Sequence, residues 1–175
     1  QGGGAGSTAV AGAVATNDIS NDTYAFGENS DLTATTGYVA VKGTNDATIE
    51  TFAIAGGTAG SASIAGSVAI NTIANDTRAY LSGTHTTADD TIVVAAKAKS
   101  TIQTLGGVLS GGGTAGIGGT IVLNTVDNIT KAFVSKSSTR DSIVKAKGMD
   151  AGTISKADGT TGTDTVNGLA VVAES

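Results

Sequence analysis

The sequence predicts an all-β chain, a parallel β-helix (β-solenoid) built from repeats of about 53 residues. Three observations lead there: one block that recurs without a gap, strand-like alternation inside every copy, and a composition too poor in large side chains for an ordinary core. The block reads GSTAVAGAVATNDISNDTYAF at Gly6–Phe26, GSASIAGSVAINTIANDTRAY at Gly60–Tyr80 and GTAGIGGTIVLNTVDNITKAF at Gly113–Phe133. The copies lie 54 and then 53 residues apart. Six columns are identical: Gly6/Gly60/Gly113, Gly12/Gly66/Gly119, Asn17/Asn71/Asn124, Asn21/Asn75/Asn128, Thr23/Thr77/Thr130 and Ala25/Ala79/Ala132. A seventh is always aromatic: Phe26, Tyr80, Phe133. A fixed period marks stacked architecture, because a single repeat cannot bury its own apolar face.

Within each copy the period is two. Val10, Gly12, Val14 and Thr16 alternate with alanines, Val39 and Val41 with Tyr38, Ala40 and Lys42, and Thr51, Ala53 and Ala55 with Phe52 and Ile54. Alternation rich in Val, Ile and Thr reads as strand. Copy one alone would pass as an Ala-rich helix, but SVAIN and TIVLN at the same columns of the other copies decide for strand. Strands are expected near Val10–Thr16 and Thr23–Phe26, then near 38–42 and 49–55. The Asn columns are placed where strands end, since Asn bonds its own backbone and tolerates the left-handed region. If copies stack directly, those Asn also form a ladder along the stack. Connectors Gly27–Thr36, Leu81–Asp90 and Val134–Asp141 vary in length and read as loops.

A solenoid turn of about 18–27 residues would make each repeat two or three turns, and the chain roughly six to nine. The chain is read as a single repetitive segment over 1–175, with copies at about 1–53, 54–107 and 108–147. Residues 148–168 are an insertion or loop, and 169–175, LAVVAES, start a further strand equivalent to TIVVAAK from Thr91.

Composition sets limits. Gly is 26 of 175 residues, and Pro, Cys and Trp are absent. Hydrophobic residues at 39% are too many, and charged residues at 14% too few, for a disordered chain. A core of Ala, Val and Ile must be thin and regular. The net charge of −5 argues against nucleic acid, which selects clustered Lys and Arg. Without Cys there is no disulfide and no thiolate metal site. Thr101–Val126 is uncharged, but Gly, Ser and Thr dominate it, so no membrane span is read there. Gln1 opens the chain inside a repeat without Met, which reads as a segment of something longer or a mature fragment.

The third copy, G-x-A-G-x-G-G-x-I-V-x-N-x-V-x-N-x-T-x-A-x, and the V-x-V run at Val39–Val41 carry a family likeness. They resemble the repeat regions of the very large filamentous haemagglutinin-like and leukotoxin-like surface adhesins of Gram-negative bacteria. The resemblance covers nearly the whole chain except residues 148–168. It implies a right-handed parallel β-helix stalk, export to the cell surface or outside, and roles in adhesion, aggregation or display of terminal domains. It brings no catalytic motif to these positions.

Local motifs add no chemistry. GGGTAG at Gly111–Gly116 fits G-x-G-x-x-G, but a strand follows where a dinucleotide site needs a helix. His85 is the sole histidine, in THTTADD beside Asp89 and Asp90; it reads as a surface loop residue, neither metal ligand nor triad base. Acids such as Asp18, Asp22, Asp31, Asp46, Asp76 and Asp127 are scattered singly. Asp18 and Asp22 are read as flanking and capping turns, with a bridging calcium the lesser alternative. Glycoside cleavage needs paired acids in a groove with aromatic platforms, and six aromatics are too few. Thr33–Thr36 and Thr84–Thr87 fall in connectors, not in register on a flat ice-binding face. The aromatic column reads as a core plug or a stacking contact.

No catalytic, cofactor or metal residue is therefore assigned, and the chain is not read as an enzyme. The expected function is a stalk or binding segment of an exported surface protein, facing a host, cell or surface ligand. The alternative is a self-assembling filament subunit that associates end to end through open edges. A carbohydrate-active β-helix enzyme is a distant third.

Overall fold

The structure is a computed structural model that describes residues 2–4, 8–155 and 162–175; Gly6, the first member of its glycine column, lies outside them. The strands in order are β1 (Gly2–Gly4), β2 (Thr8–Glu28), β3 (Asp31–Ala34), β4 (Val39–Ala59), β5 (Ala62–Ser82), β6 (His85–Ala88), β7 (Ile92–Gly112), β8 (Ala115–Ser135), β9 (Ile143–Ala146), β10 (Gly152–Ser155), β11 (Thr163–Val166) and β12 (Leu169–Glu174). No helix occurs among the described residues. Three sheets carry the fold, ordered β1-β4-β7-β12, β2-β5-β8 and β3-β6-β9. A fourth is the antiparallel pair β10–β11.

The chain is a parallel β-helix. β1 runs parallel to β4 with Gly2 opposite Gly56, and β3 runs parallel to β6 with Asp31 opposite His85. Each of these partners is 54 residues away, so one whole repeat makes one turn. This replaces the expected two or three turns per repeat. The turn is long because the two strands expected in each half-repeat are one: β2 covers Val10–Thr16 and Thr23–Phe26 without a break, and β4 covers 39–42 and 49–55.

The Asn columns explain the continuity. They sit in mid-strand and point inward, not at strand ends, and the amides of Asn17, Asn71 and Asn124, and of Asn75 and Asn128, bond each other from turn to turn. Asn17 Nδ2 donates to Asn71 Oδ1 at 2.8 Å, and Asn71 Nδ2 to Asn124 Oδ1 at 2.9 Å. Asn75 Nδ2 donates to Asn128 Oδ1 at 3.3 Å. The connectors also hold more order than expected. β3 and β6 lie inside them and pair in register, and Thr84 and Thr86 are fully buried. The SIVKAK run supplies β9, which pairs with β6, His85 opposite Ile143. Leu169–Glu174 pairs with Ile92–Lys97, Leu169 opposite Ile92 and Val171 opposite Val94.

The chain divides into two compact units through which the long strands pass. The first comprises residues 1–19, 47–73 and 100–127. Here the inner faces of two sheets meet through small side chains. Ala11, Ala55 and Ala65 form one cluster with Ala13 and Val108, and Ala47, Ile49 and Ile73 another with Ile19 and Ile102. The sheets approach closely because glycine stands where a side chain would collide. A methyl carbon at Gly118 would lie 2.5 Å from Val108 Cγ2, and one at Gly106 would strike Thr120. Gly118→Val is therefore expected to overpack this interior and to destabilise by about 1–3 kcal/mol. Thermal unfolding reads this as a lowered Tm.

The second unit comprises residues 20–46, 74–99 and 128–175. Its core is Ala79, Leu81, Ala88, Ile92, Val94 and Ala96, flanked by Leu32, Val39, Val41, Val134 and Val144. At the corner from long strand to short, Asn29 and Gly83 are equivalent and both left-handed, with φ of 47° and 61°. That geometry aims each amide at the next turn: Asn29 N–H donates to Ser82 O at 2.9 Å and Gly83 N–H to Ser135 O at 3.0 Å. The β10–β11 hairpin lays Ile154 against Val93 and Ala170, apolar groups on the outer side of their sheet.

Candidate binding surfaces

Strand alternation gives each long strand an inner and an outer face, and in the first unit many of the larger apolar side chains of β2, β5 and β8 are outside. Along β5 the inner row is Ser63, Ala65, Ser67, Ala69, Asn71, Ile73, Asn75, Thr77, Ala79 and Leu81, all buried. The outer row includes the exposed Ile64 and Ile70. Val10 and Val14 of β2 and Ile117, Ile121 and Leu123 of β8 extend that outer face in the first unit. The identical columns already carry this parity. Asn17, Asn21, Thr23 and Ala25 are all odd-numbered and all point inward, so the even-numbered valines and aromatics of copy one point out.

The aromatic column is accordingly no core plug. Phe26, Tyr80 and Phe133 stack on the outer face of the second unit, ring centroids 5.3 and 4.9 Å apart and planes within 10° and 2°. Two residues back along each strand lie Tyr24, Arg78 and Lys131. Arg78 Nε donates to Asp76 Oδ1 at 2.7 Å while its guanidinium lies 5.4 Å from the Tyr24 ring centroid. The surface is thus an aromatic ladder beside a row of Tyr, Arg and Lys. Asp22 and Asp76 lie beside the same row, so its charges of both signs are interspersed.

Hydrogen bonding from Arg78 holds the Asp76 carboxyl below its ordinary 3.8. Loss of hydration, then the charges of Asp22 and Asp76, hold the Tyr24 phenol above 10.0. A depressed carboxylate contributes stability above its ordinary value and loses it as pH falls through the folded value. Arg78→Met is therefore expected to be less stable than the wild type above pH 3.8, with the difference vanishing at lower pH. Unfolding midpoints measured across that range check the prediction.

The other singled-out residues lie on strands and at strand ends. His85 opens β6 and is exposed, with Nδ1 3.6 Å from Asp31 Oδ1; Asp31 also pairs with Arg140. Asp89 pairs with Lys147 at 2.5 Å. Asp18 and Asp22 are exposed strand residues of β2, not turn caps, because β2 continues past both. Among the described residues no group of three or more His, Asp or Glu lies together to hold a metal. GGGTAG runs from the end of β7 through a tight turn into β8. Its Gly113 permits a close approach to Gly60 O of the preceding copy. A cavity of about 70 Å³ lies among Lys42, Ala95, Lys97, Ile154 and Glu174, and a wider depression of about 470 Å³ opens to solvent beside Asn17, Asp18, Thr48 and Glu50. No helix among the described residues is long and apolar enough to cross a membrane. Comparison with protein-family models, with curated proteins and with solved structures found no match.

Proposed function

We propose that the chain is a structural and adhesive segment of a large exported bacterial surface protein, serving as stalk or binding surface for attachment. The observation that carries this reading is the division of labour between the two faces of each strand. Four of the identical columns, those of Asn17, Asn21, Thr23 and Ala25, are inner and hold the register, while the Gly12 and aromatic columns recur on the outer face. The outer faces and the length-variable connectors are left free to meet other molecules. The chain acts by presenting those surfaces and turns over no substrate. An antibody raised against the purified chain is expected to label intact, unpermeabilised cells that make the parent protein. Labelling only after lysis would remove this reading.

A second reading, a filament subunit, draws on β2 and β8, the outer members of their sheet, whose long edges offer unpaired backbone groups to another copy. Electron microscopy of the purified chain separates the two. Short particles of one length support the segment, and fibres that lengthen with concentration support the subunit.

A further inference from the structure

The outer face of β2-β5-β8 in the first unit has a relief that its own chain does not require. Four columns run across it: Val10/Ile64/Ile117, Gly12/Gly66/Gly119, Val14/Val68/Ile121 and Thr16/Ile70/Leu123. The glycine column is a trough between apolar ridges. None of its members has a positive φ, so no turn demands glycine there. Nothing in the fold occupies the space either. A methyl carbon at Gly12 or Gly66 would meet only the next glycine's carbonyl, at 3.9 and 3.8 Å, and at Gly119 nothing within 4 Å. Glycine inside a strand weakens it by roughly 0.5–1 kcal/mol and often marks the close approach of another backbone or ligand.

The ridges supply a driving force. Val10, Val14, Ile64, Ile70, Ile117, Ile121 and Leu123 are each 42–75% exposed. That amounts to roughly 700 Å² of apolar surface, above the ~300–600 Å² of a monomer's largest patch and near the ~800 Å² each partner buries in a standard interface. We infer that this face pairs with the same face of a second copy of the chain, through a two-fold axis parallel to the direction of stacking. About such an axis, placed between the glycine trough and the Val14/Val68/Ile121 ridge, each copy's ridge enters the other's trough. Val10/Ile64/Ile117 then meets Thr16/Ile70/Leu123. All four columns find a partner among themselves, as a closed, isologous contact requires. Strands cross the interface in the aligned manner of sheet-on-sheet packing.

Charge favours this occupant over a membrane. The first unit contains no Lys or Arg, and its acids Asp18, Glu50 and Asp127 lie off the four columns, so anionic lipid has nothing to bind. The chain also covers one outer sheet face of its own with β-structure, where Ile154 of the β10–β11 hairpin lies on Val93 and Ala170 in the second unit. The pairing is lateral. It leaves the strand edges free and is distinct from end-to-end stacking.

Sedimentation velocity over a concentration series of the whole chain tests the pairing. The wild type is expected to form a dimer within the ~1–100 μM range. Gly66→Val, which fills the trough without a clash inside its own chain, is expected to weaken the dimer at least tenfold at unchanged or raised Tm. Ile121→Asp is expected to weaken it similarly. Gly107→Val, on the other sheet with its nearest contact at 3.9 Å, is expected to leave it intact. A wild type that stays monomeric, or association that survives both Gly66→Val and Ile121→Asp, overturns the proposal. So does binding of a monomeric wild type to phosphatidylcholine vesicles that Ile121→Asp abolishes.

Discussion

Asn71→Ala is expected to be among the most damaging single substitutions in this chain, costing about 3–5 kcal/mol. Asn71 is fully buried and joins its turn to the adjacent turn on each side. Its Oδ1 accepts from Asn17 Nδ2 at 2.8 Å and from Thr51 Oγ1 at 2.7 Å. Its Nδ2 donates to Thr104 Oγ1 at 2.8 Å and to Asn124 Oδ1 at 2.9 Å. All four hydrogen-bonding positions of the amide are used. Truncation removes them together and leaves the buried or half-buried partners at Thr51 and Thr104 to find new ones. An orphaned buried polar group costs about 1–3 kcal/mol, more than the net gain of a typical hydrogen bond. Chemical denaturation reads the loss as a lower midpoint at unchanged m-value. Asn17→Ala, whose partner atoms are only part-buried, is expected to lose about half as much. An Asn71→Ala protein within 1 kcal/mol of the wild type would show that the ladder is incidental to stability.

Leu81→Ala is the second large effect, expected at about 2–5 kcal/mol. Leu81 is fully buried and, with Ile92, is one of the two largest side chains of a cluster otherwise built from Ala79, Ala88, Ala96 and Val94. Ala79, Ala88 and Ala96 cannot swing in to fill the space, so much of the cavity term remains. The same reasoning gives Ile73→Ala a loss in that range, since Ile73 is fully buried among Ala47 and Ile49. Thermal melts of Leu81→Ala and of the volume-conserving Leu81→Met separate cavity from chemistry. Only the alanine form is expected to fall by many degrees.

These sites show how much of the fold the sequence carried and where it stopped. The repeat and its period-two alternation are strong signals because every turn obeys the same backbone geometry, and they fix an all-β stacked chain. The length of a turn was hidden, because Asn reads locally as a strand breaker. Its amide bonds its own backbone when no partner is near, but in this stack Asn17, Asn71 and Asn124 have each other. A long-range contact reversed a local propensity. The direction of the faces was hidden by habit, since valine alternating with alanine invites burial of the valine. The parity of the Asn, Thr and Ala columns is the corrective, because identical polar side chains in every turn can bond one another where turns touch. The Gly12/Gly66/Gly119 column is legible in the sequence as a repeated position, but the open space around it shows only in three dimensions. The Phe26/Tyr80/Phe133 column was found, but which side it lies on depended on that same parity.

The central feature of this fold is that one repeat makes one turn. Asp18 and Thr125 stand in the same outer column of the first unit, two repeats apart, both exposed. The chain has no cysteine, so cysteines placed at these two positions can carry nitroxide spin labels without background. With one turn per repeat the labelled backbones are two strand spacings apart, about 10 Å, and dipolar broadening of the spectrum should be strong. With two or three turns per repeat the separation would be roughly 20–30 Å, and a spectrum without that broadening would contradict the fold described here.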